Sequence, residues 1–276
     1  MASQALLPIA PGTGRIVFER AGPARKTVLS TALATSPLRI LTPKNHGHAA
    51  WLFLASLGGG LVDRDHLDVD VRVREGASAL LGTQASTKVY RSPNGCSQRL
   101  VARVDEGASL AVVPDPVVCF GGAHYTQRID VRLAADASVL LLDGYTCGRS
   151  ARGERWAFSR YASRTSITRD DVPVLIDATL LDPSHGSVDD RMGRFDVVLS
   201  LVVLGRRFAG VRDAMVAADD ARVGDDSTIA AVSLLGGDGC IVRVAAERFE
   251  SASRVLRSSF VALARALGDD PFARKW

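Results

Sequence analysis

The sequence predicts a mainly β fold whose strands stack coil upon coil, as in a β-helix or solenoid, with a small C-terminal element of two helices. Three stretches carry this reading: Leu67–Gln84, Arg99–Pro116 and Arg128–Tyr145. Each runs as an alternating strand, a short polar turn and a second, continuously apolar strand. Gly76 and Gly107 hold matching turn positions 31 residues apart, and Asp136 follows 29 residues later. A period of that length marks stacked copies of one supersecondary unit, none of which buries its apolar face alone. Strand patterns also dominate the chain, and helical patterns come late. Short strands at regular spacing fit a conventional sandwich too, which is the rival architecture.

Element by element, Arg15–Glu19, Lys26–Ala34 and Pro37–Leu41 read as short strands separated by turn chemistry. Lys44–His48 is a loop, and Trp51–Leu57 is an apolar segment running into Gly58-Gly59-Gly60, where the backbone is freed of side-chain restriction. The three repeats follow. A degenerate fourth copy is expected over Thr165–Ile176, with Asp170-Asp171-Val172-Pro173 as its turn. Asp196–Leu204 is strongly β. Gly210–Val223 reads as a helix through Val211, Met215 and Ala218. Thr228–Leu235 and Cys240–Ala246 flank a glycine-rich turn as a hairpin. Glu247–Leu267 reads as one helix, with Phe249, Leu256, Phe260, Leu263 and Leu267 in a stripe and Gly268 at its C-cap. No linker divides the chain, so residues 1–276 read as one domain: stacked repeats over 15–205, then helix, hairpin and helix over 206–276.

At 276 residues the chain can bury a core without disulfide or metal staples. Its net charge of +4 rests almost wholly on arginine, since lysine occurs only at 26, 44, 88 and 275. Arginine suits bidentate pairing with carboxylates at a protein interface. The four cysteines show no CxxC spacing, which argues against a zinc ribbon or disulfide scaffold. No apolar run reaches the length of a membrane span, and no signal peptide is evident. These features place the expected protein in the cytoplasm, with no membrane or nucleic-acid role.

Candidate chemistry is sparse. The run Thr83–Ser92 gathers Thr83, Gln84, Ser86, Lys88, Tyr90 and Arg91 in one corner, which in a stacked fold also serves simply to satisfy backbone groups. Asp63, Asp65 and His66 follow the triple glycine and are potential cation ligands, though solvated turn residues have the same composition. His46 and His48 form a weaker pair of the same kind. Asp143 interrupts the apolar run Val139–Leu142, so burial would oblige it to find a partner, with Arg149 the near candidate and Cys147 a soft ligand beside it. There is no GxSxG, HExxH, P-loop or dinucleotide fingerprint.

Four segments carry a resemblance. Leu57–Asp65, Thr83–Ser92, Pro114–Ala123 and Gly148–Glu154 resemble, in order and spacing, the urease accessory protein UreD (UreH) family, and Arg274-Lys275-Trp276 is similar to its ending. Asp63-Arg64-Asp65 departs from the family's second Gly-Gly-Asp, which makes Asp65 the equivalent acid. The resemblance implies a β-helix-like fold with two helices and a non-enzymatic maturation factor. Such a factor binds apo-urease and a UreF-like partner, which recruits a UreG-like GTPase. It assists delivery of Ni²⁺, held transiently and with no tightly bound cofactor, through an internal passage. The implied metal waypoints are Asp65 and Asp143, and Thr83, Gln84, Ser86, Lys88, Tyr90, Arg149 and Glu154 are tunnel or partner contacts. A transit route should offer weak oxygen ligands rather than a closed His/Cys cage. The alternatives are a β-solenoid enzyme acting on a polymer, with Asp115 and Asp143 paired across coils, and a scaffold without metal handling.

Overall fold

Alternation in the first strand of each repeat and continuous apolarity in the second have one cause: the two strands enter different sheets. The computed structural model describes residues 9–22, 25–44, 46–220 and 226–272. Ahead of the repeats come β1 (Thr13–Ala21), β2 (Lys26–Ala34), β3 (Leu38–Leu41) and β4 (Ala50–Ser56). The first copy is β5 (His66–Val73) and β6 (Ser78–Thr83), with β7 (Thr87–Val89) after it. The second is β8 (Cys96–Val104) and β9 (Ser109–Val113), followed by β10 (Val117–Cys119). The third is β11 (His124–Leu133) and β12 (Ser138–Thr146). A two-stranded ribbon of β13 (Gly148–Arg149) and β14 (Glu154–Arg155) leads to β15 (Arg160–Arg169) and β16 (Val172–Leu181).

Strands β5, β8 and β11 stack in parallel in a seven-stranded sheet, and β6, β9 and β12 do so in a ten-stranded one. Each copy is therefore an arch between layers. The first sheet has solvent on its outer face, so β5 alternates buried and partly exposed positions; β6 and β9 are buried at every residue, being covered on both faces. Val69, Leu100 and Ile129 align across the first sheet and pack with Leu81, Val112 and Leu141 of the second. The arches are stitched at their turns: Ser109 Oγ donates to Ser78 Oγ at 2.9 Å, and Gly76 N–H to Glu106 O at 2.9 Å.

The expected fourth copy is only half present. β15 stacks on β11 as a first strand would, but β16 returns antiparallel on β15 in the same sheet. Asp170 (φ +47°) and Asp171 (φ +61°) are both left-handed, the backbone of a two-residue hairpin turn rather than an arch. The vacant place beside β12 in the second sheet goes to β17 (Val197–Leu204), which runs antiparallel to it after the short helix α1 (Val188–Met192).

Helix α2 (Ala209–Asp220) follows, and residues 221–223 of the helix expected there lie outside the described residues. The expected hairpin is β18 (Thr228–Leu235) and β19 (Gly239–Ala246), which extends the ten-stranded sheet beyond β17. The last expected helix is two, α3 (Phe249–Val255) and α4 (Arg257–Leu267), because Leu256 sits at φ −86°, ψ 0° between them. That break lets α3 lie on β17 and β19 while α4 lies along α2. Among the described residues there are thus four short α-helices where two were expected.

Val211, Met215, Leu256, Leu263 and Leu267 bury themselves on Leu80, Leu140, Leu201 and Val242, so the helices form a third layer on the outer face of the ten-stranded sheet. Gly268 ends α4 at φ +80°, as its C-cap position required. Among the described residues no helix is long and apolar enough to cross a membrane.

Candidate functional site: polar side chains in two adjoining cavities

Stacking register places a polar row inside an apolar core. Gln98 aligns with Gln127 across β8 and β11, and Gln127 with Ser163 across β11 and β15, all on the inward face. Opposite them the second sheet presents Thr83 at the end of β6, Asp115 just past β9, and Asp143 within β12. Thr83, Gln98, Asp115, Gln127 and Asp143 line a cavity of about 40 Å³, room for a few waters at roughly 10–15 Å³ each. A second cavity of about 150 Å³ adjoins it, sharing Leu54, Thr83, Thr87 and Gln98 as wall and adding Gln84, Ser86 and Lys88 at its mouth.

The polar side chains at the inner end form a connected hydrogen-bond network, and only the neighbouring buried Tyr161 hydroxyl lacks a partner among the described residues there. Gln127 Nε2 donates to Asp143 Oδ1 at 2.9 Å and to Ser163 Oγ at 3.3 Å. Ser163 Oγ in turn donates to Asp143 Oδ2 at 3.2 Å, and the Gly144 N–H reaches Asp143 Oδ1 at 2.9 Å. The buried Tyr125 hydroxyl donates to Gln127 Oε1 at 3.1 Å. Farther along, Thr83 Oγ1 donates to Asp115 Oδ2 at 3.0 Å and accepts from the Asp115 N–H at 2.8 Å. Burial pushes the Asp143 carboxyl above its ordinary value, and its three hydrogen bonds oppose that rise without cancelling it.

Arg149 does not serve Asp143, contrary to the sequence expectation. It makes a bidentate pair with Glu154, its Nε lying 2.9 Å from Oε2, because the ribbon of β13 and β14 sets the two residues directly opposite each other. The Arg149 guanidinium stacks 4.0 Å above the Phe120 ring, and Tyr90 meets that ring edge-on at 5.2 Å. Glu154 also accepts from the Gly121 N–H at 2.9 Å. The Arg149 hydrogen bond first, and the Gly121 N–H second, hold the Glu154 carboxyl below its usual range.

The sequence-derived site residues therefore occupy separate places. Thr83 and Asp143 face the inner cavity; Gln84, Ser86 and Lys88 stand at the mouth; Tyr90, Arg149 and Glu154 form the outer cluster. Asp65 lines neither cavity. It lies on the loop that contributes Gly59 and Leu61 to the lining of the larger cavity, and its Oδ2 accepts from the Val62 N–H at 2.8 Å. Asp63 is held by Asn94 through both carboxylate oxygens, and His66 Nδ1 lies 2.8 Å from Ser97 Oγ. The His46 N–H donates to Asp269.

Burial pushes the Cys147 thiol up to about 11, so it stands as a neutral thiol rather than a soft anionic ligand. Among the described residues no three His, Cys, Asp or Glu side chains converge as metal ligands. Sequence reasoning missed Gln98, Gln127 and Ser163. The signal was there: the matching position of the first copy is Leu67, so the second and third copies place a polar residue where the repeat expects an apolar one.

Comparison with known proteins gives this scaffold its class. The family model described as UreD urease accessory protein matches residues 10–276. A urease accessory protein UreD of Sorangium cellulosum (strain So ce56) is 54% identical over 265 residues, spanning 96% of this chain and 84% of the relative. One of Anaeromyxobacter sp. (strain Fw109-5) is 41% identical over 268 residues, spanning 95% and 89%. A urease accessory protein D of Arabidopsis thaliana is 31% identical over 294 residues, spanning 95% and 99%. The class is thus an accessory protein that serves an enzyme, not a catalyst in its own right. The chain belongs to the UreD family of urease accessory proteins.

Proposed function

We propose that this chain is a urease maturation factor of the cytoplasm. It binds apo-urease and a UreF-type partner, through which a UreG-type GTPase joins, and it assists the delivery of Ni²⁺ to the urease active site. The observation that carries this reading is the pair of adjoining cavities that set polar side chains from Gln84, Ser86 and Lys88 at the mouth to the buried acid Asp143. Its donors are carbonyl, hydroxyl and carboxylate oxygens, already engaged with one another, which is the weak and replaceable ligand set that suits an ion in transit. Asp65, beside the mouth, is the entry waypoint in this reading, and Asp143 the inner one. The outer cluster of Tyr90, Phe120, Arg149 and Glu154 supplies a rigid, half-exposed surface suited to a partner.

The test is co-expression with the urease subunits and the other accessory proteins, followed by affinity capture and nickel analysis of the urease. Asp65→Ala and Asp143→Ala should lower nickel content while leaving co-purification intact. Unchanged urease activation in both variants removes the route, and failure to capture urease components removes the maturation role.

A further inference from the structure

The solvent face of the seven-stranded sheet carries arginine in register. Arg99, Arg128 and Arg164 align across β8, β11 and β15, and Arg72, Arg103 and Arg132 across β5, β8 and β11. Neighbouring strands lie about 4.8 Å apart, so each row is a ladder of like charges at that spacing, and like charges directly opposite one another destabilise a sheet. Three of the six arginines are compensated. Arg99 pairs with Asp68 at 2.9 Å, Arg128 with Asp130 at 2.7 Å and Arg72 with Asp105 at 3.2 Å. The other three, Arg103, Arg132 and Arg164, are exposed and have no hydrogen-bond or ion-pair partner among the described residues. Nothing within the fold accounts for their placement: the core lies on the opposite face of these strands.

We infer that this face docks an acidic helical segment of a partner protein. Charge complementarity selects the sign, and geometry selects the form. A helix repeats its facing side chains at i+3 and i+4, about 4.5–6 Å along its axis, which matches the ladder. An extended segment repeats them about every 6.6–6.8 Å and drifts out of register within a few strands. A continuous polyanion such as nucleic acid fits poorly, because Asp70 and Asp130 stand in the row between the two ladders. Asp70 is already neutralised by Arg15 and Asp130 by Arg128, so discrete carboxylates on a helix can meet the free guanidinium groups without crossing an unpaired acid. Guanidinium groups also take carboxylates bidentately. This inference stands apart from the nickel route and involves none of its residues.

The test uses the full chain and three fluorescein-labelled probes in anisotropy titrations at physiological salt. One is a synthetic Ala/Glu helix with Glu at i, i+3 and i+4 along one face, one a charge-matched peptide broken by proline, and one single-stranded oligothymidine. The helix should bind more tightly than the broken peptide and the oligonucleotide. Combined Arg103→Gln, Arg132→Gln and Arg164→Gln should weaken it by at least about ten-fold and flatten its salt dependence. All three sites are exposed and their removal relieves like-charge repulsion, so the melting temperature should hold or rise; Arg257→Gln, on the helical layer, serves as the unaffected control. Absence of helix binding, equal binding of the broken peptide, tighter binding of the oligonucleotide, or an unchanged triple variant would each overturn the inference.

Discussion

Gln127 and Asp143 meet across the two sheets, the Gln127 amide donating to Oδ1 at 2.9 Å, and this contact joins the third arch to itself through the middle of the core. Burial raises the Asp143 carboxyl above its ordinary value of 3.8, so the folded chain keeps this proton to higher pH than the unfolded chain does. Stability from this group is therefore fullest below that ordinary value and falls as pH rises through the folded one. Asp143→Asn keeps the Gln127 and Gly144 hydrogen bonds at Oδ1, reverses the Ser163 one so that the new amide donates to Ser163 Oγ, and removes the fall. Its melting temperature should exceed wild type at neutral pH, with the two curves converging toward pH 4; a lower value at neutral pH would show that the carboxylate is a net stabiliser.

Glu154 has the opposite sign. Arg149 and the Gly121 N–H hold its carboxyl below the ordinary value of 4.5, so its contribution is present above that value and disappears as pH falls through the folded one. Glu154→Gln should melt earlier than wild type at neutral pH and alike near pH 3. Parallel curves across the whole range would contradict the pairing.

Gly107 isolates the cost of a backbone conformation. It turns the second arch at φ +62°, and a Cβ placed there would meet no atom closer than 3.8 Å. Gly107→Ala should therefore lower stability by about 1 kcal/mol through the left-handed backbone alone. Gly107→Asn should recover part of that loss, and urea unfolding with an unchanged slope is the measurement.

All four cysteines are buried and free. Burial pushes Cys96, Cys147 and Cys240 to about 11, and Cys119 higher still. A thiol reagent at mildly alkaline pH should label none of them in the native chain and all four in denaturant. Rapid native labelling of any one would mean that the layer above it opens.

Thr83 and Gln98 line the wall shared by the two cavities. Thr83→Val and Gln98→Leu make that wall apolar at nearly constant volume. If the passage carries the ion, nickel content of co-expressed urease should fall several-fold while capture of the complex is unchanged. Equal nickel content would place the route elsewhere.

Local pattern alone determined much of this protein. Alternation in Asp68–Val73 against unbroken apolarity in Val139–Leu142 already stated which strands have one face in solvent and which have none. The repeat around Gly76 and Gly107 stated that the arches stack, and Gly268 marked a helix end that the structure keeps. Such features are legible because side-chain periodicity and backbone permission act within a few residues.

Tertiary structure decided what depends on partners. Arg149 stands only six residues after Asp143, yet its partner is Glu154, because the β13–β14 ribbon carries it to an outer edge while Asp143 stays inside. Two left-handed aspartates turned the fourth copy into a hairpin, and packing on two different supports broke the last helix at Leu256. The inner row of Gln98, Gln127 and Ser163 and the outer ladders of arginine have the same origin. Each joins residues about thirty positions apart that become neighbours only when the coils close in register, and an interaction of a few ångströms has no local trace before that closure.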